Sequence, residues 1–422
     1  MQASTLTWIF VAAVVASYLV RTWLAWRQIR HVAAHRDQVP AAFAATVTPD
    51  VHRKAADYTL AHARFGIVTG ALATAVLLGW TLLGGLDALN AAVRDLVQPR
   101  FGDLAYQLAL FGAFALIGAL IELPASWIET FRIEARFGFN RITPALWLAD
   151  LAKGAAVATL LGLPLLALVL WIMDAAGGLW WLWAWAAWVG FVLLIQVLYP
   201  TVIAPLFNKF EPLADATLAE RVQSLMARCG FKSQGLFVMD GSRRSAHANA
   251  YFTGLGAAKR VVFYDTLLSR LTPGEVEAVL AHELGHFKRR HVQKRIVGMF
   301  AMALAGLALL GWLAGQSGFY AGLGVAPNAG APNDALALIL FSLALPPFMF
   351  FVAPLLAQAS RKHEFEADAY ACAQADGRDL SSALLKLHED NAATLTPDPL
   401  YVRFYYSHPP ASERLAALPQ PG

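Results

Sequence analysis

Five residues, His282-Glu283-Leu284-Gly285-His286, carry the most specific chemistry in this 422-residue sequence. Histidines four apart share one face of a helix, so both imidazoles can hold one Zn²⁺ as neutral nitrogen ligands, with Glu283 beside the water to be activated. Metal-assisted hydrolysis needs this set, because the ion brings its water's pKa down to about 7 and a carboxylate takes the proton. The spacing nominates Glu283 as general base. The bland alternative is a helix with two surface histidines and a solvated glutamate, and the acidic segment downstream argues against it.

A catalytic zinc keeps three protein ligands and one open position. A metzincin would place glycine at position 289 and histidine at position 292; Arg289 and Val292 exclude that branch. In the thermolysin-like arrangement the third ligand is a glutamate on a separate helix. Candidate carboxylates lie in Ser360-Arg361-Lys362-His363-Glu364-Phe365-Glu366-Ala367-Asp368. Glu364 and Asp368 share a helix face one turn apart, so Glu364 can ligate the ion while Asp368 hydrogen-bonds a ligand histidine's free N–H. The competing reading is a charged juxtamembrane helix snorkelling at the interface. Glu366 falls on the opposite face and is expected in solvent. His247, His363 and His388 read as surface histidines, and His291 has no derivable role.

The elements that must position these groups are legible around them. Thr272 can N-cap the motif helix, Pro273 suits its first position, and Glu275 completes a capping box. Gly235–Asp240 and Arg260–Asp265 have the β-branched and aromatic content of short strands. Elsewhere the chain is apolar: hydrophobic residues are 58%, charged residues 15% and mean hydropathy is +0.50. Soluble domains usually carry about a quarter charged residues. Seven segments are long enough to span a bilayer: Thr7–Trp26, Phe65–Leu83, Leu104–Leu123, Gly154–Met173, Leu179–Tyr199, Val297–Leu313 and Ala335–Leu355. The first lacks a basic leader and is expected to stay as an anchor rather than be removed as a signal peptide. Basic residues concentrate in the first loop (Arg27, Arg30, Arg36, Arg53, Lys54, Arg64), the third, the fifth and the C-terminal tail. Those parts should face the cytoplasm, with the N-terminus outside. Cys229 and Cys372, the only cysteines, form no Cys-x-x-Cys pair and are expected to be reduced.

Six pieces together resemble the type I CAAX prenyl endopeptidase family of integral-membrane zinc proteases. They are Arg136–Asn140, Pro205–Pro212, Asn249–Gly254, His282–His286, Glu364–Asp368 and Tyr406–Pro409, in family order over most of the chain. The resemblance implies seven transmembrane helices enclosing a water-filled chamber, with the zinc domain at its cytoplasmic end. It implies Glu364 as third ligand. It makes Asn249, Ala250, Tyr251, Phe252, Thr253 and Gly254 an exposed strand edge that aligns an extended substrate by main-chain hydrogen bonds. It also makes His408 and Arg414 donors to the oxyanion formed as water attacks.

The expected fold is therefore mainly α: a polytopic membrane protein with seven helices around a chamber, plus a thermolysin-like α+β metallopeptidase domain. The division runs 1–199 for five membrane helices, 200–295 for the first half of the peptidase domain, 296–357 for helices six and seven, and 358–422 for the second half. The expected activity is zinc-dependent endoproteolysis with one Zn²⁺, on a peptide or protein substrate that can be prenylated, in contact with membrane lipid and without nucleic acid. Alternatives are a quality-control zinc protease of the heat-shock type and a non-catalytic zinc-stabilised bundle. The latter sits badly with Glu283, since a closed structural site needs a fourth ligand and no base. The Ala- and Trp-rich, Arg-over-Lys composition suggests a bacterial inner membrane.

Overall fold

The computed structural model describes residues 2–253 and 260–418, which are mostly helical with one small sheet. Six helices are long and apolar enough to cross a membrane: Ala3–Ala34, Pro49–Trp80, Gly85–Phe137, Pro144–Ala175, Gly177–Phe207 and His291–Ala314. A 32-residue helix is about 48 Å long against a hydrocarbon core of about 30 Å, so the ends project well beyond the lipid.

The seventh span departs from the sequence expectation of one apolar run over Ala335–Leu355. It is a helix Asp334–Met349 followed, after a 66° bend, by a second helix Ala353–Gln374. Pro346 and Pro347 lie in the last turn of the first piece and Pro354 at the start of the second. Each lacks a backbone N–H and crowds the preceding turn, which ends one helix and starts another. The bend lays Ala353–Gln374 across the motif helix Pro273–Lys288, the most extensive helix pairing among the described residues. A second departure is the loop expected before Leu104, which is helical from Gly85. It turns into the third span at Gly102, whose φ of 79° and ψ of −178° suit only glycine.

The membrane helices bury little of themselves. The most apolar 18-residue stretch of Pro49–Trp80 contains no buried residue, and the other five single-helix spans bury only 11–17% of theirs. Part of the surface left exposed on these helices faces an internal space. A cavity of about 750 Å³ lies between the first two spans, Ser342–Pro347 and the C-terminal segments around Asn391–Thr394 and Tyr401–Tyr406. One end of the bundle is sealed by a packed cluster that includes Phe10, Leu86, Tyr106, Leu170, Leu310 and Leu336. That end is the far one, since Leu310 closes the helix that starts just after the motif helix.

At the near end stands a four-stranded sheet: β1 Phe210–Pro212, β2 Leu236–Met239, β3 Ala250–Thr253 and β4 Arg260–Tyr264. The spatial order is β1-β2-β4-β3, with β2 and β4 parallel and the outer pairs antiparallel. β2 and β4 are the two strands expected from composition. One apolar core joins this sheet to helices from both polar segments, with Leu225, Phe263, Leu280 and Leu284 packed against Ala371, Leu380 and Ala383. The protein is therefore folded so that a bent seventh helix and a membrane-proximal sheet clamp the motif helix between them.

Candidate metal centre

The motif helix begins with the capping box. Glu275 N donates to Thr272 Oγ1 at 3.4 Å and Thr272 N to Glu275 Oε2 at 2.7 Å. Such a cap stabilises a helix start by about 0.5–2 kcal/mol. Glu275 also accepts from Lys386 Nζ at 2.8 Å and from Ser382 Oγ at 2.5 Å. Burial alone would raise the Glu275 pKa, but these donors outweigh it and hold the carboxyl below its ordinary value. The cap thus ties the motif helix to the helix Gly377–Asp390.

Glu364, Ala367, Asp368 and Ala371 form the buried stripe of Ala353–Gln374, at the i, i+3, i+4, i+7 spacing of one helix face. The two helices meet at Gly285. A Cβ there would come within 2.9 Å of Ala367 Cα and 3.0 Å of its carbonyl oxygen. Only a hydrogen in that place lets the backbones approach closely enough for Glu364 to reach the histidines.

The result is a triangle of ligand atoms. His282 Nε2 and His286 Nε2 are 3.2 Å apart, and each is 3.4 Å from an oxygen of Glu364. Ligands about 2.0–2.2 Å from a tetrahedral ion are separated by about 3.3–3.6 Å, so the triangle is close to the lower end of the dimensions of one tetrahedral face. Among the described residues this is the one such group of His, Cys, Asp or Glu. Glu364 Oε2 is buried without a hydrogen-bond partner; His408 Nδ1 lies 2.8 Å away but is not aligned for one. A buried, unsatisfied carboxylate oxygen inside a histidine pair fits a metal ligand.

The electrostatics favour a cation at this point. Burial would raise the Glu364 pKa, but His282, His286 and His408 outweigh it and hold the carboxyl far below the usual range. Asp368 is likewise lowered, as His282 and Arg414 overcome its burial. Burial opposes a charge on His282, yet Asp368 and Glu364 raise its pKa to about 9. The two ionised carboxylates leave the site with the negative charge that suits a cation.

Around the triangle, Asp368 Oδ1 lies 2.8 Å from His282 Nδ1. Arg414, buried, grips the same carboxylate through Nε and Nη2 at 2.8 and 2.6 Å. Arg414 Nη2 also comes within 3.3 Å of His282 Nδ1. With Nε2 given to a metal, Nδ1 carries the ring hydrogen and donates to Asp368, so the guanidinium is only a neighbour there. Arg414 Nη1 points toward Glu364, 3.7 Å from Oε2. His408 is exposed, and its loop is held by Arg361 Nη1, which donates to the carbonyls of Val402 and Tyr406. Glu283, half-buried, follows His282 on the motif helix. Ala250, Tyr251, Phe252 and Thr253 form the edge strand β3, which touches the motif helix. Asn249 precedes it, its carbonyl accepting from Tyr264 N at 3.0 Å. Gly254 lies outside the described residues.

Four side chains differ from the sequence reading. Glu366 is not merely solvated, since His291 Nε2 sits 3.0 Å from its Oε2. His363 stacks on His291 with centroids 4.0 Å apart. His247 stacks on Phe139 and lies 3.5 Å from Glu134 Oε2. His388 is half-buried against the Thr394 carbonyl. No spacing rule flags these, because every partner comes from another element.

Comparison with known proteins agrees with this architecture. Residues 28–209 match the family model for the CAAX prenyl protease N-terminal region with five membrane helices, and residues 212–421 match that for peptidase family M48. CAAX prenyl protease 1 of Saccharomyces cerevisiae is 31% identical over 96% of this chain and 93% of its own length. The homolog of Homo sapiens is also 31% identical, over 95% and 92%. The crystal structure of S. mikatae Ste24p superposes with a TM-score of 0.90 at 30% identity, covering 98% of this chain and 99% of that one. Both family models together span nearly the whole chain, so it belongs to the type I CAAX prenyl proteases of peptidase family M48 and is an integral-membrane metalloendopeptidase.

Proposed function

We propose that the metal is Zn²⁺, that His282, His286 and Glu364 hold it, and that the chain cleaves prenylated peptides. The tetrahedral dimensions of the ligand triangle carry this reading. The N and O donor set suits zinc. Held by these three residues, Zn²⁺ would supply Lewis-acid polarisation of a carbonyl and a lowered pKa for a water. Glu283 takes that water's proton and returns it to the leaving nitrogen. His408 and Nη1 of Arg414 donate to the developing oxyanion. Asp368, itself held by Arg414, fixes the His282 tautomer. In this reading Asn249–Gly254, of which Ala250–Thr253 form the edge strand β3, receives the substrate backbone as an added strand.

The peptidase domain in this proposal comprises residues 200–295 and 358–422, and the membrane parts are 1–199 and 296–357. Orientation follows the basic loops, with the N-terminus outside and the peptidase domain and C-terminus in the cytoplasm. The Arg27–Asp398 ion pair, at 2.9 Å, supports this by joining the basic end of the first span to the C-terminal segment. Composition suggests a bacterial inner membrane as the location. A prenylated substrate is proposed because the relatives are named for it and because the cavity walls are rich in tyrosine and aliphatic side chains.

The test uses purified full-length protein. Metal content should show one zinc per chain, and a farnesylated Cys-a-a-X peptide should be cleaved faster than its unmodified counterpart. Equal rates would remove prenyl recognition, and a metal-free, fully active enzyme would remove the mechanism.

A further inference from the structure

The two motif histidines are supported differently. His282 Nδ1 meets a carboxylate directly. His286 Nδ1 meets a second imidazole, His291 Nδ1, at 3.1 Å. His291 is 3% exposed. Its other nitrogen lies 3.0 Å from Glu366 Oε2, and its ring lies within 12° of parallel to that of His363. The reaction as described so far uses none of His291, Glu366 and His363.

Counting protons fixes the direction of this chain, on the reading that His286 binds the metal through Nε2. A neutral imidazole bound at Nε2 carries its hydrogen on Nδ1. Two Nδ1 atoms at 3.1 Å share one hydrogen, so His286 donates and His291 Nδ1 accepts. The His291 hydrogen is then on Nε2, where Glu366 accepts it. One tautomer of each ring satisfies every donor. A charged His291 would set two N–H groups against each other. The ring also stands at the first position of the helix His291–Ala314, where the helix dipole disfavours a cation.

The backbone is turned to make the contact. Arg290, between the motif helix and His291, has φ 59° and ψ 29°, and only it and Ala392 are non-glycine residues with positive φ among the described residues. On an unbroken helix a residue five positions beyond His286 would point about 140° away. The left-handed residue brings His291 back onto His286, and such strained residues persist where the surroundings hold them.

We propose that His291 is a positioning residue: with Glu366 as terminal acceptor and His363 clamping its plane, it fixes the tautomer and orientation of the ligand His286. This gives the second ligand, through one intervening ring, the carboxylate support that Asp368 gives the first.

Metal affinity of the full-length protein, measured by competition with a chelator for Zn²⁺, separates this role from packing. His291→Asn keeps an acceptor near the Nδ1 position. His291→Phe keeps the ring volume and the stack on His363 but accepts nothing. The relay predicts a 10–100-fold loss for His291→Phe and a loss within about threefold for His291→Asn. A space-filling role predicts the reverse order, and that result would overturn the proposal, as would equal affinities. Glu366 is one-third exposed, so Glu366→Ala leaves the packing intact and should weaken binding several-fold if the relay operates. Unchanged binding in both Glu366→Ala and His291→Phe also overturns it. His286→Ala is the control on the metal reading itself: undiminished zinc binding there would refute that reading, independently of the His291 series.

Discussion

The motif helix and the second membrane helix are both regular helices, yet they are surrounded in opposite ways. Half of the sixteen residues of Pro273–Lys288 are buried, whereas the apolar stretch of Pro49–Trp80 buries none. Their glycines show the contrast at atomic scale. A methyl group on Gly285 would strike the backbone of Ala367, while one on Gly70, which lines the cavity, would meet nothing within 4 Å. The molecule spends its packing on holding four side chains in register and leaves its membrane walls open around space. Tolerance to substitution should divide along the same boundary.

The largest effect is expected from Gly285→Ala, where backbone atoms cannot give way. It should cost about 3 kcal/mol, at the upper end for overpacking, and should release metal, because Glu364 moves with Ala367. Thermal unfolding and metal content of the detergent-purified protein would measure both. A stable, metal-replete Gly285→Ala protein would break the comparison. Asp368→Asn should come next, with a 10–100-fold weaker metal affinity. That loss would show the buried side to be an electrostatic device as well as a packed one.

Glu275 gives a pH test of the same region. Its folded-state pKa is depressed despite burial, through Lys386, Ser382 and the Thr272 backbone. Its stabilisation is therefore fully present above the ordinary glutamate pKa and disappears as pH falls below it. Wild-type stability should drop on acidification through that window. Glu275→Gln should start lower and have a shallower slope in acid-unfolding curves; parallel curves would exclude this residue. The smallest effect belongs to the wall. Gly70→Ala should change stability by no more than about 1 kcal/mol, and in the stabilising direction, because helix propensity improves and nothing is struck. A strong destabilisation would mean the wall is packed after all.

Much of this was legible because it depends on local rules. Six of the seven apolar segments lie within an observed helix or bent pair, Phe65–Leu83 runs three residues past the helix that ends at Trp80, and the capping box of Thr272 and Glu275 forms around the motif. His282 and His286 share a face because four residues make about one turn. What escaped the sequence depends on chain reversals. Hydropathy averaged over Ala335–Leu355 hides the break set by Pro346, Pro347 and Pro354, and that break is what brings Glu364 to the histidines. His291 lies five positions beyond His286, on the wrong side of a continuous helix, until left-handed Arg290 turns the chain. Glu366 looked solvated for the same reason, since its partner begins another element. The resemblance to a known family supplied β3 as an edge strand, which composition alone did not mark.

In the proposed mechanism, peptide hydrolysis runs on this one centre, with Glu283 moving the proton. Steady-state turnover of a peptide substrate by the Glu283→Gln protein, with zinc content measured on the same sample, tests it most directly. The expected result is one zinc per chain and a kcat reduced by about 10²–10⁴-fold. Full metal occupancy with turnover within twofold of the wild type would contradict it.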